Sequence, residues 1–240
     1  MKFLDDLTKF YGTGEKNQAG QDLEEFLAGY NAKKYDSPSN TTDIIVVRCR
    51  ETLTYWGQPL EVLMVKRSNH PSIGCWATPG GFVEMREDLE AGAARELEEE
   101  TGVRGLPLQQ LKTWGNYDRD PRWRVITTSF LALAEGDIPV KAGDDAADAV
   151  WFGAELERED CGTEDNQEIW RLLLKNERKD IRISARVKVC RSGHPLLPQE
   201  KYELLESDGI AVDHGCLVVQ ALLYLKERIE NLSYRSASSS

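Results

Sequence analysis

The segment from Gly81 to Val103, GFVEMREDLEAGAARELEEETGV, constrains this chain more than any other. Gly80 and Gly81 allow the backbone to turn tightly where a side chain would intrude. The residues that follow have helical spacing, and Gly102 suits the left-handed position just past a helix end. On that helix Glu96, Glu99 and Glu100 stand at i, i+3 and i+4, so all three project from one side. Like charges at this spacing repel, and more strongly if partly desolvated. A hard divalent cation, Mg²⁺ or Mn²⁺, would offset the repulsion through carboxylate oxygens. For three glutamates taken alone, a solvated acidic face is the commoner explanation. Leu89, Ala93, Ala94 and Leu97 mark the expected core side of the helix in either case.

Strand-like texture surrounds this segment. DIIVVRC and LEVLMVKR before it, and LQQLKTWG, WRVITTSFLALA and ADAVWFG after it, are apolar or β-branched runs bounded by turn residues. RLLLKN, IRISARVKV and KYELLES predict three further short strands, the middle one with one buried face. HGCLVVQALLYLKERIENL predicts an amphipathic helix, and SYRSASSS, residues 233–240, a disordered tail. Residues 1–38 are expected to form a separate helical extension. Phe3, Leu4, Leu7, Phe10 and Tyr11 recur at helical spacing, as do Leu23, Phe26, Leu27 and Tyr30, before the break at YDSPSNTT.

Composition narrows the class. The chain has 240 residues, 40% of them hydrophobic, with six Trp, eight Tyr and six Phe, enough for one generous core. No apolar run approaches the ~20 residues needed to span a bilayer, and the start lacks a signal-peptide pattern. The formal net charge of −11 argues against a nucleic-acid partner, which needs a basic face. Cys49, Cys75, Cys161, Cys190 and Cys216 are scattered without a CxxC pair, and there are only three His. A zinc site is therefore not expected, and reduced thiols in a cytoplasmic compartment are.

Gly81, Glu87, Arg95-Glu96-Leu97-x-Glu99-Glu100 and Gly102-Val103 together have the spacing of the Nudix box, and in this the chain resembles the Nudix hydrolase superfamily. Seven fixed residues at ordinary usage give a chance match of roughly one in 10⁸ per starting point. RSNHPSIGCWATPGGFVE, YDRDPRWRVITTSFLAL, GDDAADAVWF and IAVDHGCLVVQALLYL resemble the ADP-ribose pyrophosphatase branch, over about residues 40–153 and 208–228. The resemblance implies an α/β fold, a Nudix-type α/β/α sandwich with a mixed, curved sheet. Residues 39–232 would form that domain, with a β-rich insertion at 154–207 before the C-terminal helix, which the family usually lacks. A homodimer is the assembly common in this branch.

The implied activity is Mg²⁺-dependent hydrolysis of ADP-ribose to AMP and ribose 5-phosphate. NADH, a nucleotide sugar, a diadenosine polyphosphate or an oxidised nucleoside triphosphate are alternative substrates for the same chemistry. The resemblance makes Glu96, Glu99, Glu100 and the Gly80 carbonyl the metal ligands, with Arg95 orienting the carboxylates. Glu87 would brace the loop–helix junction. Glu96 is one candidate base, and Asp144 or Asp145 in the GDDA loop is another. Arg119, Arg122 and Arg124 are candidate contacts for phosphate or ribose oxygens. Trp76 or Trp123 would stack on adenine if not used in packing. His70 and His214 are expected to be structural. The competing reading is a non-catalytic ADP-ribose sensor that controls transcription. Such regulators carry a winged-helix region, and no basic recognition helix precedes IRISARVKV here.

Overall fold

The computed structural model describes residues 3–143, 146–159, 166–194 and 196–237. The chain divides into two units, residues 1–38 and 39–240. Among the described residues of the first, only Leu23–Gly29 is an α-helix (α1), opened by a capping box in which Asp22 accepts from the Glu25 backbone and Glu25 from the Asp22 backbone. The helix expected over Phe3–Tyr11 is reduced to a single 3-10 turn at Thr8–Phe10. So short a segment, followed at once by Gly12 and Gly14 with positive φ, gains too few hydrogen bonds to offset helix nucleation.

The second unit is one mixed sheet with helices on both faces. Its strands are β1 (Ser39–Cys49), β2 (Leu60–Arg67), β3 (Trp76–Ala77), β4 (Gly80–Phe82), β5 (Leu108–Trp114), β6 (Val125–Glu135), β7 (Ala146–Glu159), β8 (Gln167–Asn176), β9 (Ile181–His194) and β10 (Leu197–Asp208). The helices are α2 (Leu89–Thr101) and α3 (His214–Ala237). The spatial order is β10-β9-β8-β7-β2-β1-β6-β5, with β3 paired to β2 and β4 to β1. Only β1 and β6 run parallel, over their full lengths, from Ser39 opposite Val125 to Cys49 opposite Glu135.

Strand β1 shows why two helical layers are needed. Its alternating side chains feed two separate cores. Ile44 and Val46 pack with Ala93 and Leu97 of α2 and with Phe130. Ile45 and Val47 pack with Phe152 and with Leu217, Val218 and Leu222 of α3. On α2 the buried positions are Gly92, Ala93, Leu97 and Thr101; Leu89 and Ala94, expected on the core side, are exposed. Gly102 takes the left-handed conformation (φ 72°) and its N–H donates to the Glu98 carbonyl at 2.8 Å, ending the helix.

The insertion extends the sheet beyond β7. Strands β8, β9 and β10, of 10, 14 and 12 residues, are longer than the short strands expected. Trp170, Leu172, Leu174, Ile183, Val187 and Val189 turn inward to α3. The outer face carries cross-strand ion pairs, among them Lys175–Glu155, Lys188–Glu203 and Arg191–Glu168. The sheet curls so far that its two outermost strands meet. Lys112 Nζ of β5 donates to the Glu200 carbonyl of β10 at 3.1 Å, and the Trp114 and Tyr202 rings lie 5.7 Å apart. Helix α3 occupies the concave side. It also continues through residues 233–237, which the sequence reading assigned to a disordered tail, because no Gly or Pro interrupts SYRSA.

Candidate active site

A polar cleft of about 420 Å³ opens where β1, β4, the N-terminal end of α3 and the β5–β6 loop converge. Its floor is set by Gly80 and Gly81. A Cβ on Gly80 would lie 2.0 Å from the Thr42 carbonyl oxygen. A Cβ on Gly81 would lie 2.5 Å from the Glu96 carboxyl carbon. Strand β4 can therefore lie against β1 on one side and the α2 carboxylates on the other only without side chains at these two positions.

Of the three box glutamates, Glu96 and Glu100 line the cleft. Gly80 N–H donates to Glu100 Oε2 at 3.0 Å. Burial pushes the Glu100 carboxyl up to about 7, against that hydrogen bond and with Glu96 and Asp43 adding like charge. Burial also raises Glu96, opposed by Arg95. Glu99 is 59% exposed and lies at the edge, held by Arg95.

Arg95 ties the arrangement together. Its Nη1 donates to Glu96 Oε1 at 2.9 Å and to Glu99 Oε2 at 2.8 Å. Its Nε donates to Glu87 Oε1 at 2.8 Å, and its Nη2 to Glu87 Oε2 and to the Phe82 carbonyl, both at 3.0 Å. Glu87 also accepts from Glu84 N–H, and these bonds, Arg95 first, hold its carboxyl down to about 2. One guanidinium thus joins the loop, the strand and two of the box glutamates, a use of its planar fork that lysine could not copy.

A further buried carboxylate in the cleft lining, Asp43, is not singled out by the sequence. Thr127 Oγ1 donates to its Oδ2 at 2.7 Å and Thr78 Oγ1 to its Oδ1 at 3.3 Å. Thr78 N–H donates to His214 Nδ1 at 3.2 Å. Arg119, only 8% exposed, pairs with Asp213 through two bonds of 3.1 and 2.9 Å and lies 4.0 Å from Asp43. The only sequence signal for Asp43 is an acid opening an apolar run, which is too common to interpret.

The expected site residues divide accordingly. Glu96, Glu100, Gly80, Gly81, Arg119 and Arg122 line the cleft, Arg119 already engaged with Asp213 and Arg122 with Asp120 at 2.8 Å. Arg124 is exposed and lies outside the lining. Trp76, 4% exposed, packs edge-on against Phe152 in the core and is no stacking surface. Trp123, 54% exposed, is not among the lining residues. Asp144 and Asp145 lie outside the described residues; the preceding Gly143 donates its N–H to the Glu100 carbonyl at 2.9 Å.

The donor set suits a hard cation: carboxylate and carbonyl oxygens with no thiol among them. The Thr42 hydroxyl in the cleft lining is the one buried side-chain polar atom without a hydrogen-bond partner among the described residues, an additional oxygen in the same place. Among those residues no three His, Cys, Asp or Glu side chains converge on a single point, because Arg95 draws Glu99 outward. The chemistry of the site thus fits a divalent cation held chiefly by Glu96 and Glu100.

The family model described as NUDIX domain matches residues 41–173, more than half of the chain. The chain belongs to the NUDIX domain family. It is similar to the ADP-ribose pyrophosphatase of Methanocaldococcus jannaschii, 44% identical over 92 residues that cover 38% of this chain and 54% of that one. It is also similar to the ADPR responsive transcriptional repressor NtrR of Acinetobacter baylyi, 39% identical over 112 residues covering 46% and 42%. The chain thus spans about half the length of the curated relatives it matches. Among solved structures, a MutT/nudix family protein from Enterococcus faecalis superposes with a TM-score of 0.64 at 30% identity, over 86% of this chain and 70% of that one. No helix among the described residues is long and apolar enough to cross a membrane.

Proposed function

We propose that this protein is a hydrolase of nucleoside diphosphates linked to a further group, with ADP-ribose the substrate and AMP and ribose 5-phosphate the products. The observation that carries the reading is the pair of partly buried carboxylates, Glu96 and Glu100, gathered against Gly80 and Gly81 in a polar cleft. Holding two like charges there is unfavourable unless a cation offsets them. Similarity to the Methanocaldococcus enzyme supports the choice of ADP-ribose.

Glu96, Glu99, Glu100 and the Gly80 carbonyl would hold magnesium, or manganese in its place. When bound, such a cation neutralises the diphosphate and lowers the pKa of water. The protein's own groups do the rest. Arg95 fixes Glu96 at the cleft and Glu99 at its edge by donating to both. Glu96 would take the proton of the attacking water as the water oxygen bonds to one phosphorus and the P–O–P link breaks. Asp145 is the alternative base. Arg122 would offer only the guanidinium edge not engaged with Asp120 to ribose or phosphate oxygens, leaving its face free, while Arg119 holds the β5–β6 loop to the start of α3 through Asp213. A homodimer in the cytoplasm belongs to the same reading, on the resemblance and the scattered cysteines.

The test is product identification with ADP-ribose, NADH, a nucleotide sugar and a diadenosine polyphosphate, each with and without Mg²⁺. Cation-dependent release of AMP and ribose 5-phosphate is expected, fastest from ADP-ribose. The likeness to the Acinetobacter repressor favours one other reading, an ADP-ribose sensor. Retention of DNA in a gel, with no turnover of any of these compounds, would establish that reading instead.

A further inference from the structure

The cleft contains one aromatic ring of Phe, Tyr or Trp type among its described lining residues, that of Phe82. The ring is 49% exposed, although burying a phenylalanine is ordinarily favourable. The guanidinium carbon of Arg122 lies over it, 5.6 Å from the ring centroid. Two bonds from Arg122 to the Asp120 carboxylate, Nε to Oδ1 at 3.1 Å and Nη2 to Oδ2 at 2.8 Å, fix the plane of that guanidinium. We propose that Phe82 and Arg122 are the two walls of a slot that takes the nucleobase of the substrate.

The spacing is what suggests a slot. Stacked carbon planes rest about 3.5–4 Å apart, so two walls around an inserted ring need about 7 Å. At 5.6 Å from the ring centroid the guanidinium is within cation–π reach of Phe82 and about 1.5 Å short of admitting a base. Arg122 and its partner Asp120 both lie between β5 and β6, outside any strand or helix, so a withdrawal of that size would be taken up by the loop rather than the sheet. Aromatic rings and guanidinium planes are the usual surfaces for an unpaired base, because every base has a π-face.

The slot also stands in a useful relation to the carboxylates. Gly81 faces Glu96, and the next residue along β4 turns its side chain to the opposite side of the strand. Phe82 is therefore adjacent in the chain to the carboxylate site yet directed away from it, as a base separated from its diphosphate by a ribose requires. Arg95 Nη2 donates to the Phe82 carbonyl, so the group that orients Glu96 and Glu99 also fixes the backbone beneath the ring. The inference rests on the hydrolysis reading for its choice of ligand, and it transfers the stacking role expected of Trp76 or Trp123 to a residue whose ring lines the cleft.

Calorimetric titration of the full chain with AMP and with ribose 5-phosphate, in the presence of Mg²⁺, separates base from phosphate. In Phe82→Ala, AMP affinity falls about tenfold to a hundredfold, the scale of losing one base–aromatic stack, and the KM for ADP-ribose rises with it. Ribose 5-phosphate binds Phe82→Ala as it binds the wild type, and Phe82→Tyr keeps AMP affinity. Equal AMP binding by Phe82→Ala and wild type, equal weakening of both ligands, or no AMP binding by the wild type would each overturn the slot. Wild-type protein that binds AMP through Phe82 but releases no AMP from ADP-ribose would overturn the hydrolysis reading alone.

Discussion

Gly81 and Glu96 stand so close that a methyl group on the glycine would come within 2.5 Å of the carboxyl carbon. The obstructed group is the end of a flexible side chain, so it can swing away at little cost to the fold. Gly81→Ala should therefore leave thermal stability nearly unchanged and lower turnover on the order of a hundredfold, because a displaced ligand misaligns the reacting groups. Melting curves beside steady-state rates check this. A variant that unfolds, or one with normal turnover, would contradict it.

Glu87 gives the stability a defined acid limb. Its carboxyl sits at about 2 when folded, against an ordinary value of 4.5, chiefly through Arg95 and then Glu84 N–H. A depressed carboxylate contributes stability above its unfolded value and loses it as pH falls through the folded one. Wild type should melt above Glu87→Gln at pH 6, and the gap should close steadily from about pH 4.5 towards pH 2. A gap independent of pH would mean the pair is not formed.

The Arg119–Asp213 pair fastens the β5–β6 loop to the start of α3. Removing one partner of a buried pair strands the other charge. Arg119→Ala should cost about 3 kcal/mol in urea denaturation, the lower end of the range because Asp213 keeps some exposure. Arg119→Ala/Asp213→Ala should cost less than Arg119→Ala, since the uncompensated carboxylate is gone.

Leu217, fully buried on α3 among strands of the concave face, reports on the larger core. Leu217→Ala should lose about 2–5 kcal/mol, whereas the exposed Leu232→Ala on the same helix should lose almost nothing. Denaturant midpoints with matched slopes distinguish the two.

Much of this is legible in the sequence. DIIVV and IRISARVKV alternate or persist as strands because one or both of their faces are buried, and they form β1 and β9. The loop, the helix and its Gly102 stop follow from local chemistry between residues 80 and 102, and local chemistry survives into the fold. What failed depends on distant partners. Trp76 and Phe82 are six residues apart in one loop-rich stretch, yet the aromatic expected in the site is buried against Phe152 and the unremarked one lines the cleft. Asp43 acquires meaning only from Thr78, Thr127 and His214, up to 171 positions away along the chain. The contact of β5 with β10 had no local signal, because curl accumulates from the small twist between successive strands.

The position of α3 bears on how the chain can be made. Residues 214–237 follow every strand in the sequence, yet the strands wrap around that helix. Strands made before that helix lack the partner for their concave apolar face until residues 214–237 have been made. A nascent chain that has reached residue 208 but not residue 237 should therefore present that hollow to chaperones.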